Sequence, residues 1–300
     1  MAATGKFERL KFSQKFQLLA SKALQYWKDD RGFGQFEQML PIDGLNRYVF
    51  FRIREHRLLG RHMRRLRNGE NLRFTNSDSL EAYEAYDDQE QRDYVNKSVK
   101  TLHNGKIARV PFRNIREIYL EEIYRQIDGL ISSANGKPVR ILEVGCGNCI
   151  NAKCLLDRYG SQIDYTGIDI SPKRLEVARS FWGQHLQKAQ LLNMSATEME
   201  LPDSSFDLVF TMHVLEQMTY TVGEALDEIF RVAADRIVLI EPTYEFGNSV
   251  QKLKLTLNDQ LRTLLPEIRK RNVSLVKSYP LNTLANPTNP SGAHVIQLNC

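Results

Sequence analysis

Long apolar runs are missing from this chain, and cysteine is scarce. No stretch approaches the ~20 consecutive apolar residues of a membrane span. The first residues, Met1 to Lys6, carry no signal-peptide core, so the expected location is cytoplasmic. The four cysteines are Cys146, Cys149, Cys154 and Cys300. Three of them crowd one glycine turn and its helix, where disulfides would distort the backbone. No further Cys/His pair follows at ligand spacing. Reduced thiols and no metal centre are the expectation. Internal repeats and low-complexity tracts are also absent. What remains, at 300 residues with 42% hydrophobic and 26% charged, is an ordinary globular composition, long enough for one large domain or one domain plus a smaller one.

Acidic residues are sparse in the first quarter. Residues 1–75 hold 16 Lys and Arg against 7 Asp and Glu, a balance of +9, whereas the remainder holds 25 against 29, or −4. The spacing predicts helices over Lys6–Trp27, Tyr48–Leu66 and Ser77–Leu102, so residues 1–110 read as a helical accessory region. Seven arginines between Arg52 and Arg67 surround the apolar stripe of the second helix, 48–67. They form a solvated face, a docking surface for RNA or an anionic membrane, or a lid gripping a phosphorylated acceptor. Aromatics do not interleave with them as on single-strand stacking platforms, which weakens the RNA case.

From Asn114 onward the pattern changes. A helix over 114–131 precedes alternating strands and helices, the pattern of a parallel doubly wound sheet. Strands are expected at 139–144, 163–168, 189–193, 207–211 and 236–241, with helices at 150–159, 172–186, 222–233 and 247–270. Two last strands, 273–279 and 294–298, are joined by a segment too short for a helical crossover and should pair antiparallel.

The stretch Val139-Arg-Ile-Leu-Glu-Val-Gly-Cys-Gly-Asn-Cys-Ile-Asn151 organises the domain. A buried strand runs into Gly145 and Gly147, and then a helix begins. Glycines let the backbone approach a ligand, and free N–H groups at the helix start face it. Glu143, just before the first glycine, suits a ligand bearing an amino group or a ribose and would repel a pyrophosphate. That directs the reading from a dinucleotide toward S-adenosylmethionine.

With Glu143-Val-Gly-Cys-Gly147, Gly167-Ile-Asp169, Leu201-Pro-Asp-Ser-Ser-Phe-Asp207 and His213-Val-Leu-Glu216 in order, residues 112–300 resemble the class I S-adenosylmethionine-dependent methyltransferases, in the branch acting on quinones, sugars and other small molecules. The resemblance implies an α/β fold, a Rossmann-like sheet of six parallel strands plus an antiparallel seventh, spanning 111–300 behind the accessory region. It implies cofactor contacts from Glu143, Gly145, Cys146, Gly147, Asn148, Asp169, Ile170, Ser195, Ala196, Thr211 and Met212. Asp169 would accept the ribose hydroxyls or cap the helix begun by Ser171. Two departures stand out: Cys149 where the family commonly has a third glycine, and Ser195-Ala196 where an acid usually meets the adenine amine.

His213 is the candidate general base for a hydroxyl acceptor, or else a packing or cofactor-holding residue. Glu216 reads as a backbone-bonding or helix residue. Glu241, Tyr244, Asn248 and His294 are the candidate acceptor contacts. The expected activity is O-methylation of a small-molecule or glycan intermediate. The competing readings are an RNA methyltransferase, an inactive cofactor-fold scaffold, and an NAD dehydrogenase, the last disfavoured by Ile150 where a glycine would be needed.

Overall fold

The computed structural model describes Asn46, Val49 and residues 86–103, 106–257, 260–271 and 273–298. The helix expected over 6–27 and nearly all of the arginine-rich helix 48–67 lie outside the described residues, as does Cys300.

The main sheet has seven strands in the order β5-β4-β3-β6-β7-β10-β8. These are β3 (Val139–Val144), β4 (Ile163–Asp169), β5 (Gln190–Asn193), β6 (Phe206–Met212), β7 (Ala233–Pro242), β8 (Ser274–Pro280) and β10 (Ser291–Gln297). Strand β10 runs antiparallel to both β7 and β8, so it alone opposes six parallel strands. Each expected strand is present, with shifts of a few residues at the ends.

Apolar residues of β3 alternate between the faces. Ile141 joins the core under α2 (Phe112–Ser133), which presents Ile115, Tyr119, Ile123 and Ile127 at four-residue spacing. Leu142 and Val144 join the opposite core, which α5 (Val222–Val232) covers with Val222, Leu226 and Ile229. Each such buried side chain contributes on the order of 1.5–3 kcal/mol. Between strands lie α3 (Ile150–Tyr159) and α4 (Pro172–Trp182). Asp203 and Asp207 are structural: Arg231 binds the first, and Arg140 binds the second through its backbone N–H and guanidinium.

Two helical expectations are corrected. Within 77–102, only α1 (Asp88–Asn96) is helical among the described residues, and Ser98–His103 is strand β1. It pairs antiparallel with β2 (Lys106–Pro111). The alternating Val99 and Thr101 and the intervening Asn104-Gly105 are hairpin signals that the helical reading passed over. The helix expected over 247–270 is two helices, α6 (Ser249–Leu257) and α7 (Leu264–Arg269). Pro266 belongs to the first turn of α7, where its missing N–H is tolerated; deeper inside a continuous helix it would clash with the preceding turn.

The loop after β8 does more than connect. Its short strand β9 (Thr283–Leu284) adds to β1, making a three-stranded sheet β2-β1-β9. Thr101 Oγ1 donates to the Leu284 carbonyl at 2.5 Å. The N-terminal hairpin is thereby tied to the loop between the last two strands, beside the C-terminal ends of β3, β4 and β6.

Candidate active site

Those strand ends open onto a cavity of about 490 Å³. Its floor is the loop after β3. Gly145 and Cys146 both donate backbone N–H groups to the Ile168 carbonyl, at 2.8 and 2.9 Å, which ties the loop to β4. Gly145, Gly147 and Cys149 all have positive φ, at 73°, 51° and 55°. The position where a third glycine is common thus keeps a left-handed backbone with a cysteine side chain in place, a strain of roughly 1–2 kcal/mol. Gly167 is needed for packing: a Cβ there would meet the Cys146 sulfur at 2.9 Å.

Asp169 ends β4, buried, with its carboxylate turned to the loop. One oxygen accepts the Gly147 N–H at 2.8 Å and the other the Ser171 N–H at 3.0 Å, while Arg174 stands 3.7 Å away. Ser171 itself caps α4 by accepting from the Arg174 N–H. A carboxylate has about four lone-pair sites, so two remain for ligand hydroxyls. Glu143 is buried beneath the loop, accepting from Tyr165 OH at 2.5 Å and Asn151 Nδ2 at 2.8 Å. Burial pushes its carboxyl up to about 7, against the hydrogen bonds from Tyr165 and Asn151 that favour the anion.

Of the expected cofactor contacts, Glu143, Gly145, Cys146, Gly147, Asn148, Asp169, Ile170, Ser195, Ala196 and Met212 line the cavity. The Ser195 hydroxyl already accepts from the Thr197 N–H at 3.2 Å. Thr211 does not line the cavity. It lies under the sheet end, where its hydroxyl donates to Glu241 at 2.7 Å.

His213 lines the cavity on the β6 side, with φ at 59° and its N–H donated to the Ile240 carbonyl. Tyr119 stacks on its ring at 5.4 Å and 9°. Nδ1 lies 3.2 Å from Glu216 Oε1, and Nε2 lies 3.2 Å from Ser291 Oγ. Glu216 therefore faces the imidazole as well as offering its backbone. Its second oxygen accepts from Asn289 Nδ2 at 3.0 Å and lies 3.5 Å from Gln260 Nε2. Lys254 Nζ holds the far ends of both amides, at 2.5 Å from Gln260 Oε1 and 2.6 Å from Asn289 Oδ1. An ammonium only donates, so it fixes both amides with their N–H groups toward Glu216.

The four expected acceptor contacts sit elsewhere. Glu241 is buried and accepts from Thr211, from the Val214 N–H at 3.0 Å and from the Glu216 N–H at 3.4 Å. It clamps the turn that carries His213 and Glu216 instead of touching the cavity. His294 is buried between Thr243 and Ser278, and Asn248 caps α6 by accepting from the Val250 and Gln251 N–H groups. Tyr244 lies beside Lys252. The rest of the cavity wall comes from segments that carry no motif: Tyr94, Lys97, Phe112, Arg116 and Tyr119 from the N-terminal side, and Asn286 and Asn289 from the loop after β8. Among the described residues no three His, Cys, Asp or Glu side chains converge as metal ligands, and no helix is long and apolar enough to cross a membrane.

An open parallel α/β sheet with a glycine cradle at the strand ends, a carboxylate below it and another one strand over, is the architecture of a nucleoside-cofactor-binding enzyme. Residues 142–239, about a third of the chain, match the family model described as a methyltransferase domain. Over 104 residues it is 34% identical to the O-methyltransferase resE of Aspergillus sclerotiorum, covering 34% of this chain and 38% of that one. Over 123 residues it is 33% identical to ajmaline N-methyltransferase of Rauvolfia serpentina, covering 39% and 41%. The matched segment thus spans little more than a third of these curated relatives. The crystal structure of magnesium protoporphyrin IX methyltransferase from Synechocystis PCC 6803 with bound SAM is similar in fold, at 13% identity and a TM-score of 0.50, covering 76% of this chain and all of the other.

Proposed function

We propose that this protein transfers the methyl group of S-adenosylmethionine to a hydroxyl of a small-molecule acceptor. The observation that carries the reading is one cavity shared by the glycine loop with Glu143 and Asp169 on one side and the His213–Glu216 pair on the other.

The cofactor supplies a methyl group already activated by its positive sulfur. The chain's own part is to hold and orient. Gly145 and Gly147 give the cavity floor its left-handed turns with Val214 and Arg174 packed against them, Glu143 offers a carboxylate to an amino group, and Asp169 keeps lone pairs for ribose hydroxyls. Alignment of two ligands in such a pocket accounts for up to ~7–11 kcal/mol of barrier reduction. A hydroxyl must also lose its proton. Glu216 at Nδ1 favours the tautomer with its proton there, which leaves Nε2 as the basic nitrogen. Ser291 is the partner of Nε2 in this structure, so an acceptor hydroxyl has to take the place of Ser291 or lie beside it. Relatives named for O- and for N-methylation both match; the histidine pair favours oxygen, because an amine needs no base of this kind before attack.

The test has two parts. Calorimetry should find S-adenosylhomocysteine binding to the wild type. Methyl transfer, read as S-adenosylhomocysteine formed with a panel of phenols and alcohols, should fall by roughly 10²–10⁴ in His213→Asn. A folded protein with no affinity for the cofactor product would end the reading. Transfer undiminished in the variant would remove His213 from the chemistry.

A further inference from the structure

Among the described residues, three donors on this cavity wall have no carboxylate at ion-pair distance. Arg116 Nη2 donates to Tyr94 OH at 3.1 Å, and its guanidinium lies 4.9 Å from the Phe112 ring centre. The Lys97 ammonium stands 3.7 Å over the Tyr94 ring and 4.7 Å over Phe112. All four side chains line the cavity. Elsewhere in the fold Arg140 is neutralised by Asp207, Arg231 by Asp203 and Arg271 by Asp227. Among the described residues no carboxylate lies within 4.0 Å of Arg116 or Lys97, and Arg116 Nε is buried without a hydrogen-bond partner. Glu143 in the same cavity feels the charge of Arg116 but makes no ion pair with it, and two like charges gathered over the same rings with no paired carboxylate are costly unless a ligand completes the site.

We propose that Arg116, with Lys97 and the Tyr94 hydroxyl, is a carboxylate-binding subsite of this cavity. The proposal rests on the reading that the cavity takes S-adenosylmethionine and a small acceptor, and it specifies what one of them presents there. A planar guanidinium matches a carboxylate's two oxygens, and the phenol adds a third donor. The electrostatics agree. Burial would raise the Tyr94 phenol, yet the charges of Arg116 and then Lys97 outweigh it and hold the group below its ordinary value. This wall therefore favours negative charge. Arg116 is one helical turn before Tyr119, whose ring stacks on His213, so the subsite borders the reacting end of the cavity. The carboxylate has two sources within reach, the amino-acid end of the cofactor or an acid group on the acceptor.

Two matched probe pairs decide between them. Wild type and Arg116→Gln are titrated calorimetrically with S-adenosylhomocysteine and with 5′-methylthioadenosine, which lacks the amino-acid end. The same proteins, saturated with S-adenosylhomocysteine, are titrated with 4-hydroxybenzoate and 4-hydroxybenzamide. The variant should bind one carboxylate-bearing probe roughly ten- to a hundredfold more weakly while its uncharged counterpart is unaffected. Loss on the first pair assigns the cofactor, and loss on the second the acceptor. Lys97→Gln, which leaves the α2 side chains intact, should weaken the same probe, and Arg116→Lys should recover part of the loss. Equal behaviour of wild type and variant on both pairs, or equal loss on a probe and its uncharged counterpart, overturns the subsite. A wild type that binds neither nucleoside overturns the functional reading beneath it.

Discussion

His294→Gln is expected to make the protein more resistant to acid, and the size of the effect follows from one buried ring. His294 lies fully buried on β10, with Phe246 stacked at 5.8 Å. Thr243 Oγ1 donates to the Glu241 carbonyl at 3.1 Å, so it accepts from His294 Nε2 at 2.8 Å, and Nδ1 is left to accept from Ser278 Oγ at 2.9 Å. The neutral ring is fully satisfied, and burial pulls its pKa from 6.5 down to about 4. Between those values the unfolded chain takes up a proton that the folded one refuses, so stability falls as pH falls. Linkage with a pKa of 6.5 unfolded and about 4 folded gives a loss of about 2.5 kcal/mol between pH 7.5 and 4.5. Glu143 and Glu241, both raised to about 7 by burial, titrate in the same window with the opposite sign, because the folded state binds their protons first. The wild-type pH profile alone is therefore no measure of His294. The readout is the difference between wild type and variant in urea-unfolding free energy, taken at pH 7.5 and again at pH 4.5. Whatever Gln costs at pH 7.5, its disadvantage should shrink by about 2.5 kcal/mol at pH 4.5. A variant that tracks the wild type at both pH values would refute the assignment of a neutral, proton-refusing ring.

Gly145→Ala and Gly147→Ala should each abolish cofactor binding and lower the urea midpoint, since a Cβ at the first would strike Val214 and at the second the Arg174 guanidinium, both at positive φ; strain of about 1–3 kcal/mol is expected in each, and titration with S-adenosylhomocysteine beside unfolding curves separates the two effects. Glu143 ionises near pH 7, so affinity for the amino-bearing S-adenosylhomocysteine should rise from pH 6 to 8, and Glu143→Gln should flatten that rise in the same calorimetric series. Glu216→Gln removes the acceptor for His213 Nδ1–H without touching the glycine loop; methyl transfer should drop by at least about tenfold while S-adenosylhomocysteine affinity holds, and a parallel loss of both would mean that Glu216 serves only the fold.

The cofactor half of the site is legible in the chain because its requirements are local. A backbone that turns left-handed at Gly145 and Gly147 needs those residue types in sequence, and a carboxylate at the end of β4 is one supersecondary unit later at Asp169. The strands show as apolar runs, and the connection too short for a helical crossover is why the last two could be expected to pair antiparallel. The hairpin β1–β2 was obscured by the polar helix-like stretch before it, although Asn104-Gly105 marks it. Cys149 shows the limit of reading residue types: the left-handed turn survives without its glycine because the surrounding loop, anchored on Ile168 and Asp169, over-determines the backbone. The other half has no such local logic. Tyr119 and Arg116 come from a helix that precedes the sheet, Glu216 from the turn after β6, and Asn289 from the loop before β10, and they meet only once the sheet is assembled. Glu241, Tyr244, Asn248 and His294 looked like acceptor contacts because they follow or pair with the right strand. Yet Glu241 and His294 point beneath the strand ends, where a buried polar group needs fixed partners. A residue's nearness to a strand terminus predicts only that it is near the site; whether it faces the ligand depends on which neighbours from distant segments have already filled its hydrogen bonds. Among the described cavity residues that criterion leaves Arg116, Lys97 and two lone-pair sites of Asp169 open toward a ligand, while His213 offers Nε2 only where an acceptor displaces Ser291.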